Sequence, residues 1–444
     1  LLKAMSRAIH AHRDELLDLS TRSYGATRGD GKFDVDGASG TLAWYASLGA
    51  SLGDRRWLPD GEPEGIGRST RFAGQHLLVP RRGVAVHINA FNFPAWGMCE
   101  KLAVSLLAGV PALVKPATAT ALVTWRIVQL WEGLLPEGAV SLLVGPPGDL
   151  LDHLESQDVI AFTGSSDTAR HLRAHPRVLD LGVPINVEAD SLNAAVLAPD
   201  VAADSPTFDL FLADVVRDLV QKAGQKCTAI RRVFVPADRL DDVRDGLGDL
   251  LGRVELGALS DGDTVIGPLA TAAQRRDVTA GLDALVAATE PFVGPVGALP
   301  DAGWFVQPQV RLAAHDAPIV HEREVFGPVA TVLPYDGSAA QAAAQVNRGG
   351  GGLVVSLYSD DPAWAGEAIL ELGPWHGRIY WGSKRVAGEG TGPGTVLPQL
   401  VHGGPGKAGG GQELGGQRGL AFYLQRVAIQ GDRALLDRAL GGGS

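Results

Sequence analysis

The sequence of 444 residues predicts an α/β fold built on a parallel sheet, and three observations carry that prediction. Between residues 83 and 188, short apolar runs alternate with helix-length stretches. The runs are apolar at consecutive positions, as in strands buried on both faces, rather than alternating with polar residues. Turns rich in Gly, Pro, Asn and Thr separate the elements.

Taken in order, residues 83–88 read as a strand and 94–108 as a helix. Pro94 suits the first turn of that helix and Gly109 the position just past its end. Strand 112–114, helix 119–134, strand 140–144 and helix 149–154 follow. Strand 158–162, helix 165–174 and strand 184–188 complete the unit. Ligands of such sheets bind beyond the carboxyl ends of the strands, so the turns at 89–94, 115–118, 145–148 and 163–165 are where chemistry is expected. A second unit begins near Ala194. Its first helix, 208–222, puts Phe208, Phe211, Leu212, Val215, Val216 and Leu219 on one face, and Gly224 can end it. Further αβ alternation runs to Tyr380. Residues 388–419 are rich in Gly and Pro and are followed by a β-like run, 420–429, which favours an ordered functional loop. The runs 75–79 and 420–429 read as edge strands able to pair between subunits of a homodimer or larger oligomer. The expected domains are 1–190, 191–385 and 386–444.

Composition limits the function. Hydrophobic residues make up 45 % and charged residues 20 %, too apolar for a disordered chain. Lys and Arg number 39 against 50 Asp and Glu, a formal charge of −11, which argues against a nucleic-acid partner. No apolar run approaches the ~20 residues that cross a bilayer, so no membrane partner is expected. Cys99 and Cys227 cannot form a disulfide framework, and no Cys or His cluster has zinc spacing. A metal-free, cytoplasmic protein is the expectation. The chain opens Leu1-Leu2-Lys3 inside an amphipathic pattern (Leu2, Met5, Ile9, then Leu16 and Leu17), which reads as a fragment of a longer protein. Gly441-Gly442-Gly443-Ser444 reads as a flexible tail or a linker.

Cys227, beside Lys226 on a Gly-flanked turn, is the candidate nucleophile, because the thiolate is the reactive form and positive charge favours it. A small buried residue is the equal alternative from context. Cys99, inside the apolar helix 94–108, reads as packing. Gly224-Gln225-Lys226-Cys227 resembles the nucleophile motif of the NAD(P)-dependent aldehyde dehydrogenase superfamily. Four more segments resemble that superfamily's motifs in order: Asn89-Ala90-Phe91-Asn92-Phe93-Pro94, Val114-Lys115-Pro116-Ala117, Phe162-Thr163-Gly164-Ser165 and Glu324-Val325-Phe326-Gly327-Pro328. Val187-Glu188-Ala189-Asp190-Ser191-Leu192-Asn193 and the stretch 397–406 resemble the PaaZ type, the dehydrogenase part of ring-opening proteins of bacterial phenylacetate degradation. They also resemble the related semialdehyde dehydrogenase of the benzoyl-CoA epoxidation route.

The resemblance implies a Rossmann-like cofactor domain, an α/β catalytic domain and a small β oligomerisation element. It implies Cys227 as nucleophile, the amide of Asn92 and the Cys227 N–H as oxyanion donors, and Glu188 as the base for thioester hydrolysis, with burial expected to raise its pKa. Capping of the helix at Pro94 is the plain alternative for Asn92, and a strand-end ion pair for Glu188. Thr163, Gly164 and Ser165 are expected at the cofactor, with Glu324 on the nicotinamide ribose and Phe326 packing beside it. Lys115, with neutral Thr118 three residues on, favours NADP over NAD, since a carboxylate at that place would repel a 2′-phosphate. Ala169 stands where the superfamily usually has a second glycine, which points to a tighter fit at the pyrophosphate or the neighbouring helix. The implied substrate is an acyl-CoA semialdehyde such as 3-oxo-5,6-dehydrosuberyl-CoA semialdehyde, oxidised to the free acid. The alternatives are 3,4-dehydroadipyl-CoA semialdehyde or a catalytically inactive nucleotide-binding scaffold. A hydratase domain or partner is a further expectation. Arg231, Arg232, Lys384, Arg385 and Lys407 are candidates for CoA phosphates, and His402 for the aldehyde tunnel.

Overall fold

The computed structural model describes residues 1–257, 259, 265–313 and 316–440; the tail at 441–444 lies outside the described residues. Five strands make an all-parallel sheet in the order Val140–Leu142, Ala112–Lys115, Ala85–Ile88, Val159–Thr163, Ile185–Glu188. The first strand in sequence lies in the middle. The chain therefore steps outward on one side and then crosses to the other, leaving a crevice beyond the carboxyl ends of Ala85–Ile88 and Val159–Thr163. A second sheet of seven strands runs Glu290–Val293, Gln309–Leu312, Val329–Tyr335, Arg232–Pro236, Ala194–Leu197, Gly352–Tyr358, His376–Gly382, and only its first pair is antiparallel. Among the described residues no helix is long and apolar enough to cross a membrane.

Several expected elements shift. Residues 149–154 form only the tight 3₁₀ turn Leu150–His153, since little chain separates Gly148 from the extended Leu154. The helix expected at 208–222 spans Pro206–Val220 and stops where Lys222 and Ala223 turn left-handed. Residues 420–429 are not one strand. Leu420 and Tyr423 are buried on the short helix Gln417–Tyr423, and the strand is Leu424–Asp432. That strand pairs antiparallel with Phe72–Pro80 of the same chain, so the two expected edge strands are partners of each other.

The helix expected from Pro94 starts at Trp96, and its end is served from elsewhere. Asp34, on the long helix Arg28–Leu52, accepts the Ala95 N–H at 3.2 Å and the Trp96 N–H at 2.8 Å. A carboxylate there satisfies two orphan donors at the positive end of the helix dipole. Trp96–Leu107 is otherwise apolar, yet it buries the adjacent pair Glu100 and Lys101.

The Gly-rich region 388–419 is ordered. Its hairpin, Val401–Gly403 with Gln412–Leu414, is stitched to the strand Ile185–Glu188. Gly411 donates to Val187 O at 3.0 Å, and Ala189 donates to Ala408 O at 3.0 Å. A Cβ on Gly411 would fall 2.3 Å from Val187 O, so glycine is what lets the two backbones meet.

Two outcomes are expected. Asp34→Ala leaves two buried N–H groups unpaired and should lower unfolding stability by about 2 kcal/mol, read from the urea midpoint. Burial pushes the Glu100 carboxyl up to about 8, against the nearby charges of His402 and Lys101. Its folded pKa is raised, so its contribution to stability is complete at low pH and is lost as pH climbs to about 8. Urea midpoints of Glu100→Gln should therefore fall less than those of the parent chain between about pH 5 and about pH 8.

Candidate active site

Two cavities meet at Cys227. One is a cleft of about 2440 Å³ at the carboxyl ends of the five-stranded sheet, lined among others by Thr163, Gly164, Ser165, Glu324 and Phe326. The other is a narrower pocket of about 480 Å³ walled by Phe33, Phe93, Trp96, Glu100, Val396 and His402. Asn92, Glu188, Thr163 and Cys227 line both. The cleft is large enough for a dinucleotide, and Cys227, half-buried, sits where the cleft opens into the pocket.

The Cys227 turn is held from three directions. Asn193, fully buried at the mouth of Ala194–Leu197, donates to Cys227 O at 2.7 Å and Ala229 O at 3.0 Å. Arg231 donates to Gly224 O at 2.8 Å, Lys226 O at 3.2 Å and Gly327 O at 2.9 Å, and pairs with Glu324 at 3.2 Å. Asn92 donates its side-chain amide to Gln225 O at 3.0 Å. Asn92 does not cap the neighbouring helix, since Asp34 takes that role, and its second amide hydrogen is left for another acceptor.

Glu188 ends its strand 3 % exposed. One of its oxygens lies 3.2 Å from His402 Nε2, an ion-pair distance although the N–H is not squarely aligned on it. The other accepts a long contact of 3.5 Å from Thr163 Oγ1. Sγ of Cys227, a Glu188 oxygen and a His402 ring nitrogen all lie within 4.8 Å of one another. Burial alone would raise the Glu188 pKa, as the sequence suggested. The His402 cation, with help from Lys101, overrides burial and holds the carboxyl below its usual range. The Cys227 thiol is pushed well up by burial and by the Glu188 charge. Lys226 does nothing to lower it: its ammonium is buried and turned away, onto Asp218 at 2.6 Å and Gln221 at 2.8 Å.

The other sequence candidates divide. Ser165 caps the helix Ser166–Arg173 by accepting the Thr168 N–H at 3.3 Å. Burial raises Glu324 to about 7, against the attraction of Arg231, and its second oxygen accepts the Ser191 N–H. Phe326 packs edge-on to Phe91, ring centres 6.0 Å apart. Lys115 and exposed Thr118 lie outside the cleft lining, where only Ala117 of that turn appears. Ala169 is 3 % exposed and points its methyl into a cluster with Val86, Ile160 and Leu172, away from the cleft.

Arg231 and Arg232 are structural and not free for phosphates. Arg232 is buried against Leu192 O and Val346 O, with its pKa lowered to about 9 by that burial. Lys384 and Arg385 are exposed, and Lys407 borders the cleft and not the narrower pocket.

Sequence reasoning missed Glu100, Lys101, Glu413 and Arg378. Lys101 donates to Thr163 Oγ1 at 2.7 Å and pairs with Glu413 at 3.1 Å. Arg378 donates to Pro393 O and Thr395 O, fixing the segment that carries Gly394 and Val396 into the pocket. The available signal was two adjacent charges in an otherwise apolar helix.

Comparison with known proteins agrees with this geometry. Residues 1–429 match the model of the aldehyde dehydrogenase family. The chain is 44 % identical over 417 residues to the 3,4-dehydroadipyl-CoA semialdehyde dehydrogenase of Aromatoleum evansii, covering 91 % of this chain and 80 % of that protein. It is 31 % identical to the geranial dehydrogenase of Castellaniella defragrans, across 72 % of this chain and 64 % of the relative. A crystal structure of betaine aldehyde dehydrogenase from Staphylococcus aureus in complex with NAD+ superposes with a TM-score of 0.82 at 26 % identity, covering 97 % of this chain and 82 % of that one. The chain belongs to the aldehyde dehydrogenase family, with that family's α/β fold.

Proposed function

We propose that this chain oxidises an acyl-CoA semialdehyde of the 3,4-dehydroadipyl-CoA type to the free acid, with NADP as oxidant. The observation that carries the reading is the meeting of Cys227, Asn92 and Glu188 where a dinucleotide-sized cleft opens into an enclosed pocket. The likeness to the Aromatoleum evansii enzyme supports the dehydroadipyl chain. The longer suberyl-type substrate, the leading expectation from sequence, gives way to it.

Cys227 attacks the aldehyde carbon. Its thiol proton goes to the nearby Glu188 carboxylate, because a buried thiol beside a negative charge does not ionise unaided. The oxygen that becomes negative meets the free amide hydrogen of Asn92 and the Cys227 N–H. The cleft would accommodate a nicotinamide dinucleotide, whose ring would supply the hydride acceptor. Thr163, Gly164 and Ser165 would hold its phosphates at a helix N-terminus, and Glu324 a ribose hydroxyl. Cys227 then carries the acyl group as a thioester; Glu188, once it has passed the thiol proton on to solvent, draws a proton from the attacking water, and the Cys227 sulfur leaves as thiolate. The apolar walls Phe33, Phe93, Trp96 and Val396 suit the carbon chain between the aldehyde and the CoA end. NADP is preferred if the adenosine end of the cofactor extends past Ala117, the one residue of that turn at the cleft edge, because it would then meet neutral Thr118 and the Lys115 cation and no carboxylate to repel a 2′-phosphate. A homo-oligomer would use the edge of Leu424–Asp432 that has no strand neighbour among the described residues.

Reduced-cofactor absorbance with 3,4-dehydroadipyl-CoA semialdehyde should rise faster than with the suberyl-type substrate, and faster with NADP than with NAD. Cys227→Ala should abolish the signal, and Asn92→Ala should cost about 10²–10³ in kcat. Unimpaired turnover by Cys227→Ala overturns the reading. Glu188→Gln should slow both formation and hydrolysis of the thioester, so that turnover falls and the thioester that does form persists on the protein, seen by mass spectrometry.

A further inference from the structure

His402 comes from the hairpin Val401–Gly403, far in sequence from Asn92, Glu188 and Cys227, and is 3 % exposed. Its Nε2 stands 3.2 Å from the Glu188 oxygen, and both groups lie within 4.8 Å of the Cys227 sulfur. A nucleophile beside a base, and that base beside a third group that orients it, is the arrangement that activates weak nucleophiles. Here the order is thiol, carboxylate, imidazole. We propose that His402 is a positioning residue for the dehydrogenase reaction proposed above: as an imidazolium it holds the Glu188 carboxylate ionised and beside Cys227, ready to take the thiol proton.

The step is a proton transfer. The S–H bond breaks, its electron pair stays on sulfur as thiolate, the proton moves to a Glu188 oxygen, and His402 keeps its own proton throughout. The surroundings fit that assignment. Glu188 faces His402 with negative charge, Glu100 stands beside it as a neutral acid below about pH 8, Arg378 opposes the imidazolium, and Lys101, itself paired with Glu413, also faces Glu188. Burial disfavours the imidazolium, but the ion pair with Glu188 outweighs it and the His402 pKa is raised. Without that cation, the buried Glu188 would stay protonated to higher pH, and a carboxyl that already holds a proton cannot accept the one from the thiol. The hairpin that delivers His402 is pinned to the strand carrying Glu188 by Gly411 N–H to Val187 O, so the pair is built by two backbones in contact.

The test follows alkylation of Cys227 by iodoacetamide in the full chain against pH, without aldehyde or cofactor; Cys99, the other cysteine, is buried. His402→Ala should alkylate about tenfold more slowly near neutral pH, with its profile moved up by about one pH unit, one unit corresponding to a factor of ten. Added imidazole, entering the pocket the substitution opens, should restore part of the rate. In a Glu188→Gln background the same substitution should leave the profile unmoved. An unchanged profile in folded His402→Ala overturns the proposal, as does an equal shift in the Glu188→Gln background. If His402→Ala does not fold, His402→Asn carries the same comparison. Alkylation requires no turnover, so a chain that fails to oxidise any aldehyde would refute the proposed function while leaving this result readable on its own.

Discussion

Three residues in left-handed conformation set the geometry of the site. The helix Pro206–Val220 ends, and Lys222, Ala223 and Gly224 follow with φ of 54°, 51° and 71°. Only glycine takes that conformation freely; for Lys222 and Ala223 it costs about 1–2 kcal/mol each. The strain is offset around the turn. Lys222 N–H donates to the buried Asp30 carboxylate at 2.7 Å, and Arg231 gathers the carbonyls of Gly224 and Lys226. At Gly224 a Cβ would stand 2.2 Å from Gly327 O, so the turn is pressed against the segment that carries Glu324 and Phe326. Bending the chain there brings Cys227 back over the strand ends; a helix continued past Val220 would carry it away from Glu188 and Asn92.

Much of this could be read from the residues. The run from 83 to 188 is dominated by local signals, consecutive apolar residues for buried strands and Gly or Pro at turns, and all five expected strands lie in the sheet. The motif residues Asn92, Thr163, Glu188, Cys227 and Glu324 sit at strand ends or turns, where topology gathers them on one side. The errors share a cause: a side chain's partner is set by tertiary approach, which spacing does not encode. Lys226 is adjacent to Cys227 in sequence, yet successive side chains in an extended turn point apart, and its ammonium meets Asp218. Arg231 and Arg232 read as surface charge because nothing local reveals the carbonyls that surround them. Glu188 was expected to titrate high because the histidine that holds it low lies at position 402.

The same limit explains why the polar interior behind Cys227 was invisible. Glu100 and Lys101 come from a helix that otherwise reads as core, Glu413 and His402 from a Gly-rich loop whose partners its sequence does not name, and Arg378 from a strand of the other sheet. Each burial would be costly alone, because an ion removed from water loses several kcal/mol of hydration. Together they are tolerable: Lys101 meets Glu413 and His402 meets Glu188. The Gly-rich sequence between the hairpin strands makes this possible, since bulkier residues would hold the loop too far from Val187 for His402 and Glu413 to reach their partners.

Charge balance then gives the cluster a chemical bias. Burial keeps Glu100 protonated up to about pH 8, so near neutrality it adds no negative charge. Within the cluster Lys101, His402 and Arg378 outnumber the ionised Glu188 and Glu413, while Asp218, which also faces Arg378, is paired with Lys226, so the interior carries a surplus of positive charge before any reaction starts. Both demanding moments of the proposed reaction, ionising a buried thiol and gathering negative charge on a carbonyl oxygen, place an anion next to that surplus. The cluster was assembled at the cost of desolvating six ionisable groups, and a low-dielectric surrounding is also what makes the surplus effective at short range. An acidic protein of net charge −11 thus keeps a locally cationic centre where its proposed chemistry needs one.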